Sequence, residues 1–270
     1  MHLFGKSFVL FCAICAFTGS ASAALVDWNA LTWPAGSLSN SYDVDPSNPG
    51  SDVTVTISGD TGQLQPSLVS PNPQTPAITR AFDGGLGTSP HTLELALDLT
   101  SNTQSVTFTL DFSALYVAGV KNVSFTIFDI DANNVSGSTY QDVVKSIFAT
   151  STTGAQIAPT ITNVGSNVSL TGTGLTQLLT GQATTADLGA GSGAGNATIS
   201  FNATDIRSVT FTYGSSTTFA DPTYQHIGIY NIDYEVVPEP GALGACLIIV
   251  GLAVFRSHRW SKSRPPGFDE

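Results

Sequence analysis

Along most of the chain, apolar and polar residues alternate. Val53, Val55 and Ile57 are separated by Thr54 and Thr56, and the same two-residue period returns at Leu93, Leu95 and Leu97, at Val106, Phe108, Leu110 and Phe112, and at Val123, Phe125 and Ile127. It returns again through Ala197, Ile199 and Phe201, through Val209, Phe211 and Tyr213, and through Ile227 and Ile229, then Ile232, Tyr234 and Val236. Successive side chains of a strand point to opposite faces, so each stretch predicts a strand with one buried face and one face of threonine, serine and other polar residues. No 3.6-residue period is sustained between them, and only Gly174 to Ala186 could form a short helix. Asp83-Gly84-Gly85, Ser215-Ser216 and the small-residue run Gly189 to Gly195 mark turns. A parallel sheet needs helical crossovers, which are missing, so the pattern predicts an all-β fold: an antiparallel β-sandwich, jelly-roll-like. The proline-rich stretch Pro66 to Pro76 reads as an irregular loop within it.

The two ends depart from this pattern. Lys6, an apolar stretch from Ser7 to Phe17 and a small-residue close at Ala21-Ser22-Ala23 have the three parts of a secretory signal peptide, residues 1–23. The apolar stretch is too short for a bilayer core, which takes roughly 20 residues. The predicted folded domain is then 24–237. Its 17 acidic residues stand against four basic ones, Arg80, Lys121, Lys145 and Arg207, for a formal charge of −13. Nucleic-acid binding is thereby excluded as a main activity, since it depends on lysine and arginine displacing counterions from phosphates. The domain holds no cysteine; Cys12, Cys15 and Cys246 all lie at the ends. Disulfides, thiolate metal sites and a cysteine nucleophile are excluded with them.

Two polar groups inside the domain carry candidate chemistry. Asp129, Asp131 and Asn133, with Asp142 at the start of the next strand, place hard oxygens at alternate positions, as the opening of a D-x-D-x-N calcium loop does. Asn134 and Tyr140 replace the glycine and glutamate of an EF-hand, which leaves a β-sandwich loop site for Ca²⁺ or, equally consistent with the residues, turns on an acidic surface. Tyr224, Gln225 and His226, before the last strand, can stack on and hydrogen-bond a sugar, or cap and pack the strand. Trp28 and Trp33 are likewise either platforms or core anchors. Glu94 and Glu235 are the domain's only glutamates, and a glycosidase would need one of them opposite another carboxylate. There is no H-E-x-x-H or G-x-S-x-G pattern, and the expectation is a non-enzymatic protein.

At the C-terminal end, Pro238-Glu239-Pro240 precedes the apolar run Gly241 to Phe255, which is followed by Arg256, Arg259, Lys262 and Arg264. The prolines forbid a continuing strand. The run makes a helix of about 22 Å at 1.5 Å per residue, a short transmembrane helix over 241–255, and the basic cluster holds its far end in the cytoplasm as a membrane stop. This order resembles the PEP-CTERM sorting signal of Gram-negative bacteria, over residues 238–262. The resemblance implies transient inner-membrane anchoring and cleavage near the motif by exosortase, a membrane peptidase of bacteria that make extracellular polysaccharide. One departure is a further tail, 263–270, with Pro265, Pro266 and two acidic residues. A plain C-terminal anchor with a chance V-P-E-P is the competing reading. The expected function is therefore that of a secreted, cell-surface or matrix protein with a structural or binding role in the envelope or exopolysaccharide; a carbohydrate-binding or glycoside hydrolase-like β-sandwich is the alternative.

Overall fold

In the computed structural model, which describes residues 23–237 apart from 47–48, 136, 183–187 and 189–190, strands account for 49% and helix for 4% of the described residues. Strand pairing therefore has to build the core. Along the first half run β1 (Ala23–Val26), β2 (Ser39–Tyr42), β3 (Val53–Gly59), β4 (Ala77–Thr79), β5 (Thr92–Leu97), β6 (Ser105–Asp111) and β7 (Val120–Phe128). The hairpin β8 (Ala132–Val135) and β9 (Ser138–Ser151) follows, then β10 (Gln156–Ile157), β11 (Thr160–Thr162), β12 (Val168–Thr171) and β13 (Leu178–Gly181). The chain ends in β14 (Ala197–Phe201), β15 (Ile206–Ser215) and β16 (Gln225–Val236). The expected signal peptide, Pro238, Glu239, Pro240, the apolar run, Arg256 and Arg259 lie outside the described residues.

Every pairing among the described residues is antiparallel, and the sheet curls into two runs. One passes β12-β13-β9-β15-β6-β3-β2, the other β11-β14-β7-β16-β5-β4, with β1 also on β16. They join at a single register pair, Ile206 with Val120. The apolar sides of the two runs meet: Phe211 of β15 stacks on Phe108 of β6 at 4.9 Å and lies 6.0 Å from Phe125 of β7. Phe112 meets Tyr234 of β16 at 4.9 Å. Each fully buried side chain of this kind contributes about 1.5–3 kcal/mol by leaving water. On the outward side, hydroxyls pair across strands, Ser41 with Thr54 at 2.8 Å and Thr126 with Thr198 at 3.0 Å. The alternation in the sequence is thus the alternation of core and outer faces.

Two stretches differ from the sequence reading. Gly174 to Ala186 is not a helix where it is described: Gly174–Thr176 is one 3₁₀ turn with a Thr173 capping box, and Leu178–Gly181 is β13. Pairing of Leu179 with Val144 buries the leucine completely, a gain an isolated short helix cannot match. The longest strand, β9, has no clean alternation, because Ser146 takes a left-handed φ of 51° and the register slips opposite Thr210 and Thr212. Tyr140, Asp142 and Val144 are buried before the slip, Ile147, Ala149 and Ser151 after it. A bulge of this kind moves the buried positions from even to odd numbers.

Candidate functional site

Strands β5, β16 and β7 lie side by side, and their outer face is covered where Glu94, Gly228 and Phe128 stand in register. Glu94 of β5 is in register with Gly228 of β16, which is in register with Phe128 of β7. His226, two positions before Gly228, shares its face, and Asp129 follows Phe128 in a left-handed turn with φ 68°. Gly228 leaves the room this arrangement needs. A Cβ there would stand 2.6 Å from Phe82 Cδ2 and 2.9 Å from Thr92 Oγ1. Phe82 instead lies over the glycine and meets the His226 ring edge-on at 4.6 Å.

The result is a carboxylate, imidazole, carboxylate row. His226 Nδ1 is 3.5 Å from Glu94 Oε1, and its Nε2 is 3.5 Å from Asp129 Oδ2. These are ion-pair separations, longer than good hydrogen bonds. A ring with protons on both nitrogens faces a carboxylate at each end; a ring with one proton turns a lone pair toward one of them. Glu94 is fully buried and Asp129 is 3% exposed, so solvent does not screen the row. The proline-rich segment closes over it. Ser67 Oγ and Thr79 Oγ1 both donate to Glu94 Oε2, at 2.6 and 2.7 Å, and Tyr224 donates from its hydroxyl to the Pro66 carbonyl at 3.1 Å. Burial, and then the Glu94 charge, push the Tyr224 phenol above its ordinary range, so the hydroxyl keeps its proton to donate.

The residues of the acidic loop lie inside the molecule, whereas the alternative reading places them on the surface. Asp129, Asp131, Asn133 and Asp142 are all buried. Asp142 Oδ1 accepts from Tyr213 at 2.7 Å and Oδ2 from the Asp131 amide at 3.1 Å, while Asp131 Oδ2 accepts from the Leu188 amide at 2.7 Å. Asn133 is used within the β8–β9 hairpin: its Oδ1 accepts from the Val135 amide and its Nδ2 donates to Ser138 Oγ. Burial, and then the neighbouring Asp131 and Asp129 charges, hold the Asp142 carboxyl well above the usual carboxylate range. Burial likewise raises the Tyr213 phenol, followed by the charge of Asp142, so the tyrosine is the donor of the pair. No three His, Cys, Asp or Glu groups among the described residues are arranged to hold a metal ion. A Ca²⁺ ion needs six to eight oxygens, and four of the seven side-chain oxygens offered here already face protein donors. The residues form a hydrogen-bond network centred on Asp142.

Tyr224, Gln225 and His226 do not share one face. Gln225 points with Ile227 and Ile229 to the core side, is fully buried, and neither amide atom has a hydrogen-bond partner. Trp28 is fully buried, its ring edge-on to Tyr42 at 6.1 Å, and Trp33 is half-buried. Glu235 is tied to Lys121 on β7 at 2.9 Å and to Asn122 Nδ2 at 2.9 Å, a surface pair. The Glu94–His226–Asp129 row itself was not read from the sequence. Its one signal is that Thr92 and Ala96, which flank Glu94 on its face, are small enough to lie under another layer.

No known protein family matches the chain, and no curated protein matches it. Among solved structures it is similar to the family 11 carbohydrate-binding module of a cellulosomal cellulase of Clostridium thermocellum, at 12% identity over 82% of this chain and 98% of that one, with a TM-score of 0.25. It is also similar to the family 11 module from that organism in complex with a β-1,3-1,4-mixed-linked tetrasaccharide, at 13% identity over 78% of this chain and 94% of that one, with a TM-score of 0.25. TM-scores this low do not establish a shared fold.

Proposed function

We propose that this is an exported, non-enzymatic protein of the cell surface or extracellular matrix, whose jelly-roll-like β-sandwich binds or structures the exopolysaccharide after delivery by a PEP-CTERM-like tail. The tail carries the reading: a rigid Pro238-Glu239-Pro240, an apolar run and a basic stop occur in the order that presents the domain outside the membrane. The carboxylates of the domain support the non-enzymatic part. Glu94 is held by Ser67 and Thr79 beneath the proline-rich segment, and Glu235 is engaged by Lys121, so neither stands opposite another carboxylate across an open cleft as glycoside hydrolysis requires. Rings from both runs of the sheet meeting at Phe211 support the two-layer reading of the domain. Calcium is left out of the proposal, because four of the seven side-chain oxygens of the acidic loop accept from protein donors.

Cell fractionation tests it, with tags at both ends of the chain, in a host that has exosortase. The expected outcome is a released form lacking the C-terminal tag, and retention of full-length chain in the membrane for Glu239→Ala. Wild-type protein that keeps its C-terminal tag in the inner membrane would make the tail a plain anchor. Release followed by failure to sediment with the host's exopolysaccharide would remove the matrix role while leaving the sorting role intact.

A further inference from the structure

Beside β4, the proline-rich segment leaves a surface cleft of about 230 Å³, walled by Val69, Pro71, Pro73 and Ile78 and edged by Arg80 and His91. At about 30 Å³ per water, this is the room of roughly eight waters, enough for one small organic residue and below the usual size of a drug-like pocket. The wall is aliphatic and the edge is cationic. No carboxylate pairs with Arg80 among the described residues, although the domain carries many more acids than bases.

Arg80 is braced from behind. Its Nε donates to His91 Nε2 at 2.9 Å; the His91 amide donates to Asn29 Oδ1 at 3.1 Å; and Asn29 Nδ2 donates to Asp27 Oδ1 at 2.8 Å. Burial, and then the Arg80 charge, hold His91 below the ordinary imidazole range, which keeps its Nε2 an acceptor. With Nε occupied, the two Nη groups are the donors left over, and that edge matches the two oxygens of a carboxylate.

We propose that this cleft binds one carboxylate-bearing residue, with the Arg80 Nη edge on the carboxylate and Val69, Pro71, Pro73 and Ile78 against the apolar face of its ring or chain. The chemical class, a hexuronate residue of an acidic polysaccharide, rests on the matrix-binding role proposed above. A hexuronate ring presents a C–H face to aliphatic walls and a carboxylate at C6, which is the division of chemistry the cleft offers. The net negative charge of the domain works against holding a densely charged polymer along its length, so recognition falls to a single inserted residue.

Calorimetric titration of the full-length protein in mild detergent with sodium glucuronate, glucose and sodium butyrate tests this. Glucuronate should bind, at least tenfold more tightly than glucose. Arg80→Met should weaken it at least tenfold, and Arg80→Lys, which keeps the charge and loses the two-pronged edge, should weaken it several-fold. Arg80 is exposed, so an unchanged melting temperature in both variants is expected and excludes unfolding as the cause. Equal binding of glucose, or full binding by Arg80→Met, would overturn the site; butyrate binding in place of glucuronate would overturn its sugar class. Matrix sedimentation by wild-type protein that shows no glucuronate binding leaves the matrix role standing and removes this cleft from it.

Discussion

Residues 94 and 95 are neighbours on β5, both fully buried, and they are buried by different means. Leu95 faces the core with Leu93, Leu97, Ile227 and Ile229, where contacts are many, undirected and interchangeable. Glu94 faces outward under a second layer, where Ser67, Thr79 and His226 each have to be in place. The apolar side drives folding. The polar side fixes where the proline-rich segment lies, because a buried carboxylate without its partners costs more than the partners return in net stability.

The comparison breaks most sharply at these two positions. Leu95→Ala should destabilise the protein by about 2–5 kcal/mol through lost transfer energy and a cavity. Glu94→Gln, which keeps the shape and removes the charge facing His226, should cost about 1–3 kcal/mol. Thermal denaturation of the full-length variants distinguishes them, each kcal/mol shifting the midpoint by roughly 2–4 °C. A Glu94→Gln effect as large as that of Leu95→Ala would mean that the row, rather than the apolar core, dominates this part of the fold.

A smaller effect is expected with pH. The Asp142 carboxyl is raised in the folded state, so the native protein holds this proton more firmly than the unfolded chain does. Its contribution to stability is fully present below the unfolded value of about 3.9, and is lost as pH rises through the folded value. Between those two values, wild-type stability should fall with rising pH more steeply than that of Asp142→Asn, whose side chain does not titrate. Parallel stability curves for the two proteins would show that Asp142 is ionised at no cost in the fold.

The smallest expected effect is none. Since Asp142 and Asp131 already accept from Tyr213, Leu188 and the Asp131 amide, adding Ca²⁺ should leave the melting temperature unchanged. A rise with calcium concentration, abolished in Asp131→Ala, would mean that the loop exchanges those donors for an ion by mass action.

Much of the fold was legible because strand period is local. Phe108, Phe125 and Phe211 could be assigned to a buried face from two-residue spacing alone, and all three are in the core. Strand β9 was not legible, since its bulge at Ser146 switches the buried positions within one strand and cancels the pattern over its length. Of the site, the spacing of Asp129, Asp131 and Asp142 allowed either a loop site or surface turns, and gave no sign that these carboxylates would be buried with protein donors. Tyr224, Gln225 and His226 form one polar run in sequence, and strand geometry divides them between two faces.

By itself the sequence determined the alternating strands, the acidic and thiol-free composition of residues 24–237, and the order of Pro238-Glu239-Pro240, apolar run and basic cluster at the C-terminal end, each a matter of composition or of residues close together along the chain. Only the tertiary structure decided that the outer face of β5, beside the start of β16, would be buried as well, and that Glu94, His226 and Asp129 would meet there beneath Ser67 and Thr79. A two-residue period states that a strand has two faces. Whether the second face meets water or another layer depends on register and on the path of a distant loop, and these are set by long-range packing.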